Sequence, residues 1–233
     1  GGVGLIVLET SAISWPAGAS MPYMLGFSKD EFIPDLQSLT QSIHQHGAKV
    51  AAQLNHSGKI AQEDTIAGRP IPVPSIPKSE PSDMFGLLTQ DEVMNFIKAG
   101  GPDGKGPRYH ELTIDEIKKE INNFAEAAKR AKKANFDAVE IHAGHGYLIS
   151  SFLSPAINKR TDEYGGSTEN RSRFLVEVIR AIKQELSEDF PVLVRLDANE
   201  YRIEGGITPK DFLVTCLLAE KAGADALDVS AYG

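Results

Sequence analysis

Residues 113–147 read TIDEIKKEINNFAEAAKRAKKANFDAVEIHAGHGY and contain the pattern that decides the fold. Apolar side chains recur at helical spacing over 114–131, and Thr113 with Glu116 forms the signature of a capping box. The run DAVEIHA at 137–143 then predicts a buried strand, because apolar residues dominate it over a typical strand length. A helix followed by a buried strand is the repeating unit of a parallel α/β sheet.

Four more runs of this kind occur, so the sequence predicts five buried parallel strands. Besides DAVEIHA they are GLIVLET (4–10), KVAAQLN (49–55), PVLVRLD (191–197) and DALDVSA (225–231). Helical patterns separate the runs, and Thr208 and Gly223 are placed to begin and end the last helix. Five equivalent units without a Rossmann glycine fingerprint favour a (β/α)8 TIM barrel over a doubly wound sheet. A complete barrel has eight units over about 250 residues, so we expect an incomplete barrel.

We expect one domain over residues 1–233, since a chain of this length with 41% hydrophobic residues can bury one large core. The longest connection runs from about 57 to 112 and is rich in proline and glycine, which is typical of a lid or a disordered segment. Residues 88–100 within it predict one short helix. The chain opens almost inside a strand and without Met, so we expect its natural N-terminus to lie upstream.

Composition and charge argue against several function classes. The formal net charge is −8 and no basic run occurs, so we do not expect nucleic acid as a partner. No apolar run approaches the roughly 18 residues of a membrane span, and the start lacks the basic region of a signal peptide. The single cysteine, Cys216, predicts no intrachain disulfide, is interpreted as a small buried hydrophobe, and fits a reducing, cytoplasmic compartment.

Polar side chains occupy one face of the predicted strands toward their C-terminal ends. Because side chains alternate across a strand, Gln53, His142 and Arg195 lie opposite a purely apolar face. The C-terminal ends of barrel strands converge on one mouth, where active sites lie. We therefore expect these three residues to meet there, joined by His145 and Tyr147 just beyond the strand that carries His142.

These polar residues are also compatible with structural or metal-binding roles. A polar residue at a strand end is often a structural hydrogen-bonding group, and Tyr147 could serve packing. His142 and His145 could also bind a metal ion together with Glu140, although no second carboxylate or cysteine lies at ligand spacing. The coincidence of all these polar side chains at one predicted surface favours a functional site.

The run EIHAGHGYLISSFLSPAINKRTDEYGGSTENRSRF at 140–174 resembles the old yellow enzyme family of NADH:flavin oxidoreductases. The motifs AAQLNHSGK at 51–59 and VGLIVLETSAI at 3–13 are similar to two further strand motifs of that family. The resemblance covers essentially the whole chain. It implies an FMN-dependent barrel that uses NADH or NADPH to reduce activated C=C bonds, with strands two to six of eight present in this chain.

The resemblance also implies which residues hold the cofactor. Gln53 would bond the pyrimidine edge of the flavin, Arg195 would lie at its ring, and the backbone at Thr10 would approach it. The first barrel strand and the last two, whose loops cradle the FMN phosphate, have no counterpart in this sequence. An iron–sulfur cluster, as in longer relatives, would need cysteines beyond Gly233.

The substrate implied by the resemblance is a small enone or enoyl compound. His142 and His145 would bind its carbonyl oxygen, and Tyr147 would donate the proton. Four residues of RTDEYGGS are implied to fix a loop and start the next helix: Arg160, Asp162, Gly165 and Ser167. The alternatives are a barrel enzyme without flavin that uses the two histidines as metal ligands, and an inactive barrel fragment. The oligomeric state and the physiological substrate stay open.

Overall fold

The structure is a computed structural model, and it describes residues 2–77, 89–91, 94–95 and 100–232. In chain order its helices and strands are β1 (Leu5–Val7), β2 (Ser11–Ala12), α1 (Ile33–His44), β3 (Lys49–Asn55), α2 (Gln62–Ala67), β4 (Pro70–Val73), β5 (Arg108–Glu111), α3 (Ile114–Lys133), β6 (Ala138–Ala143), α4 (Leu148–Leu153), α5 (Thr168–Leu186), β7 (Val192–Glu200), α6 (Pro209–Ala222) and β8 (Ala226–Tyr232).

The main sheet has the strand order β1-β3-β6-β7-β8, and β2 pairs with β3 on the same edge as β1. Every pairing in it is parallel. The helices α1, α3, α5 and α6 lie between successive strands and pack on one face, where they form the hydrophobic core with side chains such as Val50, Val139 and Val194. This curled parallel sheet is an incomplete (β/α)8 barrel, which confirms the fold class expected from the sequence.

Capping residues set the helix ends where the sequence predicts them. The Glu116 N–H donates to Thr113 Oγ1 at 3.3 Å, and the Thr113 N–H donates to Glu116 Oε2 at 2.8 Å, which completes a capping box at the start of α3. Ser167 and Thr208 cap α5 and α6 by accepting backbone N–H groups with their hydroxyl oxygens, and only Thr208 also forms a capping box, with Asp211. Gly223 ends α6 with a φ of 108°, a conformation that favours glycine.

The first predicted strand is wrong in its second half, because the strand is interrupted between β1 and β2. Val7 pairs with Ala51 of β3, whereas Ser11 pairs with Leu54, so four steps along one strand match three along the other. One extra residue of this kind is a β-bulge, which bends a strand and redirects its side chains. Thr10 lies in this interrupted stretch.

The long connection over 57–112 contains regular structure in its described part, where the sequence predicted a proline- and glycine-rich loop. It holds α2, and β4 pairs with β5 in a separate two-stranded parallel sheet. Pro70, Pro72 and Pro74 concealed β4 in the sequence, since proline argues against a strand. The helix predicted over 88–100 falls largely on residues outside the described ones.

Arg160 fastens this connection to the loop that follows α4. Its Nη1 donates to the carbonyl oxygens of Leu112 at 2.6 Å and Pro74 at 3.2 Å, while its Nε donates to Asp162 Oδ1 at 3.1 Å. A Cβ at Gly165 would lie 2.1 Å from the Arg160 carbonyl oxygen, so only glycine fits there. These contacts agree with a structural role for the RTDEYGG loop.

Both edges of the main sheet carry exposed apolar side chains. Val7 on β1 is 38% exposed and Val229 on β8 is 55% exposed.

On α6, the half-buried Cys216 packs against the core, and burial raises the pKa of its thiol. None of the helices in the described ranges combines the length and the apolar character needed to cross a membrane.

Candidate functional site

The sheet face opposite the helices carries polar side chains in successive rows. In one row Gln53 pairs with Glu140 on the neighbouring strand. In the next row His142 pairs with Arg195, which in turn pairs with Asp228. The structure thus brings Gln53, His142 and Arg195 together on one face, as the alternation along the strands predicts.

Glu140 is the hydrogen-bond partner of Gln53. Gln53 Nε2 donates to Glu140 Oε1 at 2.6 Å, and both residues are buried. Burial raises the pKa of the Glu140 carboxyl, and the Asp228 charge raises it further. The Gln53 hydrogen bond and the Arg195 charge lower it, but they do not outweigh burial. This carboxyl is therefore engaged by an amide. Within the described ranges, no group of three or more His, Cys, Asp or Glu side chains is placed to hold a metal ion.

His142 is a neutral donor with a defined tautomer. It is 3% exposed, and the Gly144 N–H donates to its Nδ1 at 3.2 Å. This bond assigns the imidazole proton to Nε2. Burial lowers the pKa of His142 to about 3, with His145 and Arg195 acting in the same direction. The ring therefore carries one N–H donor and no charge at neutral pH.

His145 and Tyr147 stand against the His142 ring. The His142 and His145 ring centroids are 5.0 Å apart with planes at 70°, and the His142 and Tyr147 centroids are 4.7 Å apart with planes at 86°. Burial raises the pKa of the Tyr147 phenol, and Tyr232 adds to this effect while Arg195 opposes it. Tyr147 is consequently a protonated phenol at neutral pH.

Three further residues of the site were not predicted: Asp197, Ser230 and Tyr232. Asp197 Oδ2 accepts the His145 backbone N–H at 2.5 Å, and Oδ1 accepts the Ser230 hydroxyl at 2.8 Å. The Tyr232 ring lies 6.3 Å from the His145 ring between centroids. A signal existed for Asp197 and Tyr232, because Asp197 follows Arg195 by two positions and Tyr232 follows Ser230 by two, which places each on the polar face.

Arg195 and Thr10 have buried polar atoms that fit a bound ligand. Arg195 Nε and Thr10 Oγ1 lack a hydrogen-bond partner among the residues that the structure describes. The contact of Arg195 Nε with Asp228 Oδ2, at 3.5 Å, is an ion pair without hydrogen-bond geometry. Buried polar atoms are normally satisfied, so a polar ligand edge is expected here. The carbonyl oxygens and ring nitrogens of a flavin suit the guanidinium, the hydroxyl and the Gln53 amide.

Comparison with known proteins finds similarity over nearly the whole chain. The NADH:flavin oxidoreductase / NADH oxidase family matches residues 1–232. The NADPH dehydrogenase of Clostridium acetobutylicum is 41% identical over 233 residues, which are 100% of this chain and 60% of that protein. The NADH oxidase of Thermoanaerobacter brockii is 38% identical over 99% of this chain and 32% of its own length. The chain therefore spans less than two thirds of the length of these curated relatives.

Two solved structures share the fold. The old yellow enzyme homologue from Zymomonas mobilis superposes with a TM-score of 0.77 and 30% identity, over 97% of this chain and 59% of that one. A 2-naphthoyl-CoA reductase in complex with 2-naphthoyl-CoA gives a TM-score of 0.79 and 28% identity, over 99% of this chain and 33% of that one. These findings confirm the resemblance to old yellow enzymes, and the chain belongs to the NADH:flavin oxidoreductase / NADH oxidase family.

Proposed function

We propose that the whole protein is an FMN-dependent oxidoreductase that passes hydride from NADH or NADPH to the C=C bond of an α,β-unsaturated carbonyl compound. The observation that carries the proposal is the neutral imidazole of His142 beside the protonated phenol of Tyr147, with ring centroids 4.7 Å apart. An oxyanion donor and a proton donor side by side are what reduction of an activated double bond requires.

Gln53, Arg195 and Thr10 would hold the cofactor. When bound, FMN would supply the two-electron chemistry, taking hydride from the nicotinamide and giving it to the substrate. The unpartnered Arg195 Nε would donate to the polar edge of the ring system. The bond from Gln53 Nε2 to Glu140 fixes the orientation of the Gln53 amide, which leaves its oxygen for the cofactor.

His142 and His145 would bind the carbonyl oxygen of the substrate. As hydride adds to the β-carbon, negative charge grows on that oxygen. The Nε2–H of His142 suits this role because the Gly144 N–H already occupies Nδ1, so the donor is fixed before substrate arrives. A neutral imidazole keeps its proton and donates a hydrogen bond throughout.

Tyr147 would complete the reduction by giving its phenolic proton to the α-carbon. The C=C bond then becomes a CH–CH bond, the nicotinamide leaves in its oxidised form, and the phenol regains a proton from water. Burial raises the pKa of Tyr147, so the donor stays protonated over the neutral pH range. The neighbouring donors suit a substrate whose carbonyl group is conjugated to the double bond that is reduced.

The test uses the product of the whole reading frame that contains this sequence. The protein should purify with FMN, lose its flavin absorbance under anaerobic NADH or NADPH, and regain it when 2-cyclohexenone is added. Product analysis should give cyclohexanone. Absence of flavin, or a reduced flavin that no enone reoxidises, would contradict the proposal. Stoichiometric zinc in a flavin-free protein would instead favour a metal-dependent barrel enzyme.

A further inference from the structure

Asp197 is a buried carboxylate that the proposed chemistry does not use, although it lies beside the histidine pair. We propose that Asp197 is a positioning residue, which holds the turn between His142 and Tyr147 through hydrogen bonds and not through its charge. The inference deepens the proposed function and rests on the roles given there to His145 and Tyr147. It follows from the contacts of Asp197, the backbone of the turn and the space around Gly144.

The contacts of Asp197 connect two neighbouring strands beyond their last paired residues. The pairing of β6 with β7 ends at Ala143 and Leu196. Asp197, one residue further on, reaches across and accepts the His145 N–H at 2.5 Å. A Cβ at Gly144 would lie 2.8 Å from Asp197 Oδ1, so only a glycine lets the carboxylate come this close. The Asp197 side chain itself is fully buried.

The turn that Asp197 binds holds His145 in a backbone conformation that a non-glycine residue does not favour. His145 has a φ of 57° and Gly146 a φ of 72°, while the Tyr147 N–H donates to the Gly144 carbonyl oxygen at 3.3 Å. Two consecutive left-handed residues inside a four-residue turn are easy for glycine and costly for a histidine. The bond from Asp197 offsets that cost at the strained residue. Because Tyr147 is the N-cap residue of α4, this turn sets the distance from His145 to Tyr147.

The conformation of the turn does not depend on the charge of Asp197. His145 Nε2 lies 3.6 Å from Asp197 Oδ1, which is longer than a hydrogen bond. The two short bonds go to the His145 backbone and the Ser230 hydroxyl. In Asp197→Asn the amide oxygen can accept from the His145 N–H and the amide nitrogen can donate to Ser230. The Ser230 proton can then turn to the Leu196 carbonyl oxygen, which already lies 3.4 Å away.

The experiment compares Asp197→Asn, Asp197→Ala and the parent as full-length proteins, with the exposed Asp189→Ala as the matched control. Two readouts are used besides turnover: affinity for phenol, which imitates the enolate oxygen, and amide hydrogen exchange over 144–147. We expect Asp197→Ala to weaken phenol binding by about 10- to 100-fold, as for the loss of two hydrogen bonds of ordinary strength, and to speed exchange at His145. Asp197→Asn should stay within about threefold of the parent on both readouts, since it keeps the bonds.

Each outcome decides the inference. Parent-like phenol affinity and exchange in Asp197→Ala would overturn it, and equal losses in Asp197→Asn and Asp197→Ala would show that the charge is needed. If Asp197→Ala does not fold, Ser230→Ala should give the same pattern at smaller amplitude, and no effect there would overturn the inference. A parent protein that neither binds phenol nor reduces an enone would refute the proposed function, while the exchange data would still decide whether Asp197 holds the turn.

Discussion

The Tyr147 ring stands edge-on to the His142 ring, with centroids 4.7 Å apart and planes at 86°. One residue is a half-buried phenol with a raised pKa and the other is a buried imidazole whose pKa is lowered to about 3. Burial keeps each group in its neutral form. The pair therefore presents two neutral hydrogen-bond donors side by side.

Tyr147→Phe removes the proton donor and leaves the ring. We expect the rate of enone reduction to fall by about 10²- to 10⁴-fold, as for a lost general acid, while flavin reduction by the nicotinamide stays nearly unchanged. Stopped-flow measurement of the two half-reactions checks this. Because the pKa of Tyr147 is raised, the parent rate should decline only above the ordinary phenol value of about 10, and this limb should be absent in the variant.

Tyr232→Phe is the matched control for this variant, since Tyr232 is the other phenol of the site and approaches the His145 ring. It should leave the enone half-reaction within about threefold of the parent, the size of a lost weak hydrogen bond. If both half-reactions fall equally in Tyr147→Phe, the residue is structural and its assignment as proton donor is wrong.

The double variant His142→Ala, His145→Ala removes both oxyanion donors. Phenol-type ligands should bind more weakly by about 10²-fold or more, as when hydrogen-bond donors to a developing oxyanion are lost, and the protein should keep its flavin. Titration with phenol followed by visible absorbance measures both. The exposed His46→Ala serves as control. Unchanged phenol affinity would refute the role, and loss of a bound metal in the same protein would revive the metal-site hypothesis.

The acid stability of the fold should depend on His142. Its pKa falls from 6.5 to about 3 on folding, so the unfolded state binds more protons between these values. The stabilisation is present above pH 6.5 and is lost as the pH falls toward about 3. The urea midpoint of His142→Asn should therefore drop less between about pH 7 and about pH 4 than that of the parent. The urea midpoint of the variant should still depend on pH to some extent, because burial also lowers the pKa of His56. Equal drops would show that His142 is charged in the folded state.

Residues 1–233 expressed alone should be colourless, poorly soluble and inactive. Val7 and Val229 leave apolar surface exposed at the two sheet edges, and open edges promote aggregation. A barrel binds phosphate through the loops after the last two of its eight strands. The resemblance makes β8 the sixth barrel strand, so those two strands are not among the ones described here. The test is to purify this chain and the product of the longest reading frame that contains it, both with excess FMN, and to record visible spectra after gel filtration. A yellow, monodisperse 233-residue protein that reduces an enone would contradict this expectation.

Much of the site could be predicted because strand alternation is a local rule. Gln53, His142 and Arg195 each lie in a strand between apolar neighbours. Because successive side chains point to opposite faces, the three polar residues are predicted to share one face of the sheet. The partner of Gln53 was missed for a different reason. Glu140 was weighed as a metal ligand, and only the register of β3 against β6 shows that it faces Gln53 instead.

The parts that could not be predicted depend on contacts between distant segments. No residue near Thr10 signals a bulge, which appears only when the strand is aligned with β3. The pairing of β4 with β5 joins segments separated by more than thirty residues, and its prolines point the other way. The bond from Asp197 to the His145 N–H likewise requires knowing which strand lies beside which.

The two hydrogen bonds from Arg160 to Pro74 and Leu112 close the long connection at its base. Once a loop is closed in this way, its length affects stability only logarithmically, at about 0.6 kcal/mol for each doubling. We therefore expect the number of residues between β4 and β5 to be free to vary among homologues while His142 and His145 keep their geometry. The same reasoning makes this connection the natural insertion point for an affinity tag or a reporter domain, provided that Arg160 and its two acceptors are retained.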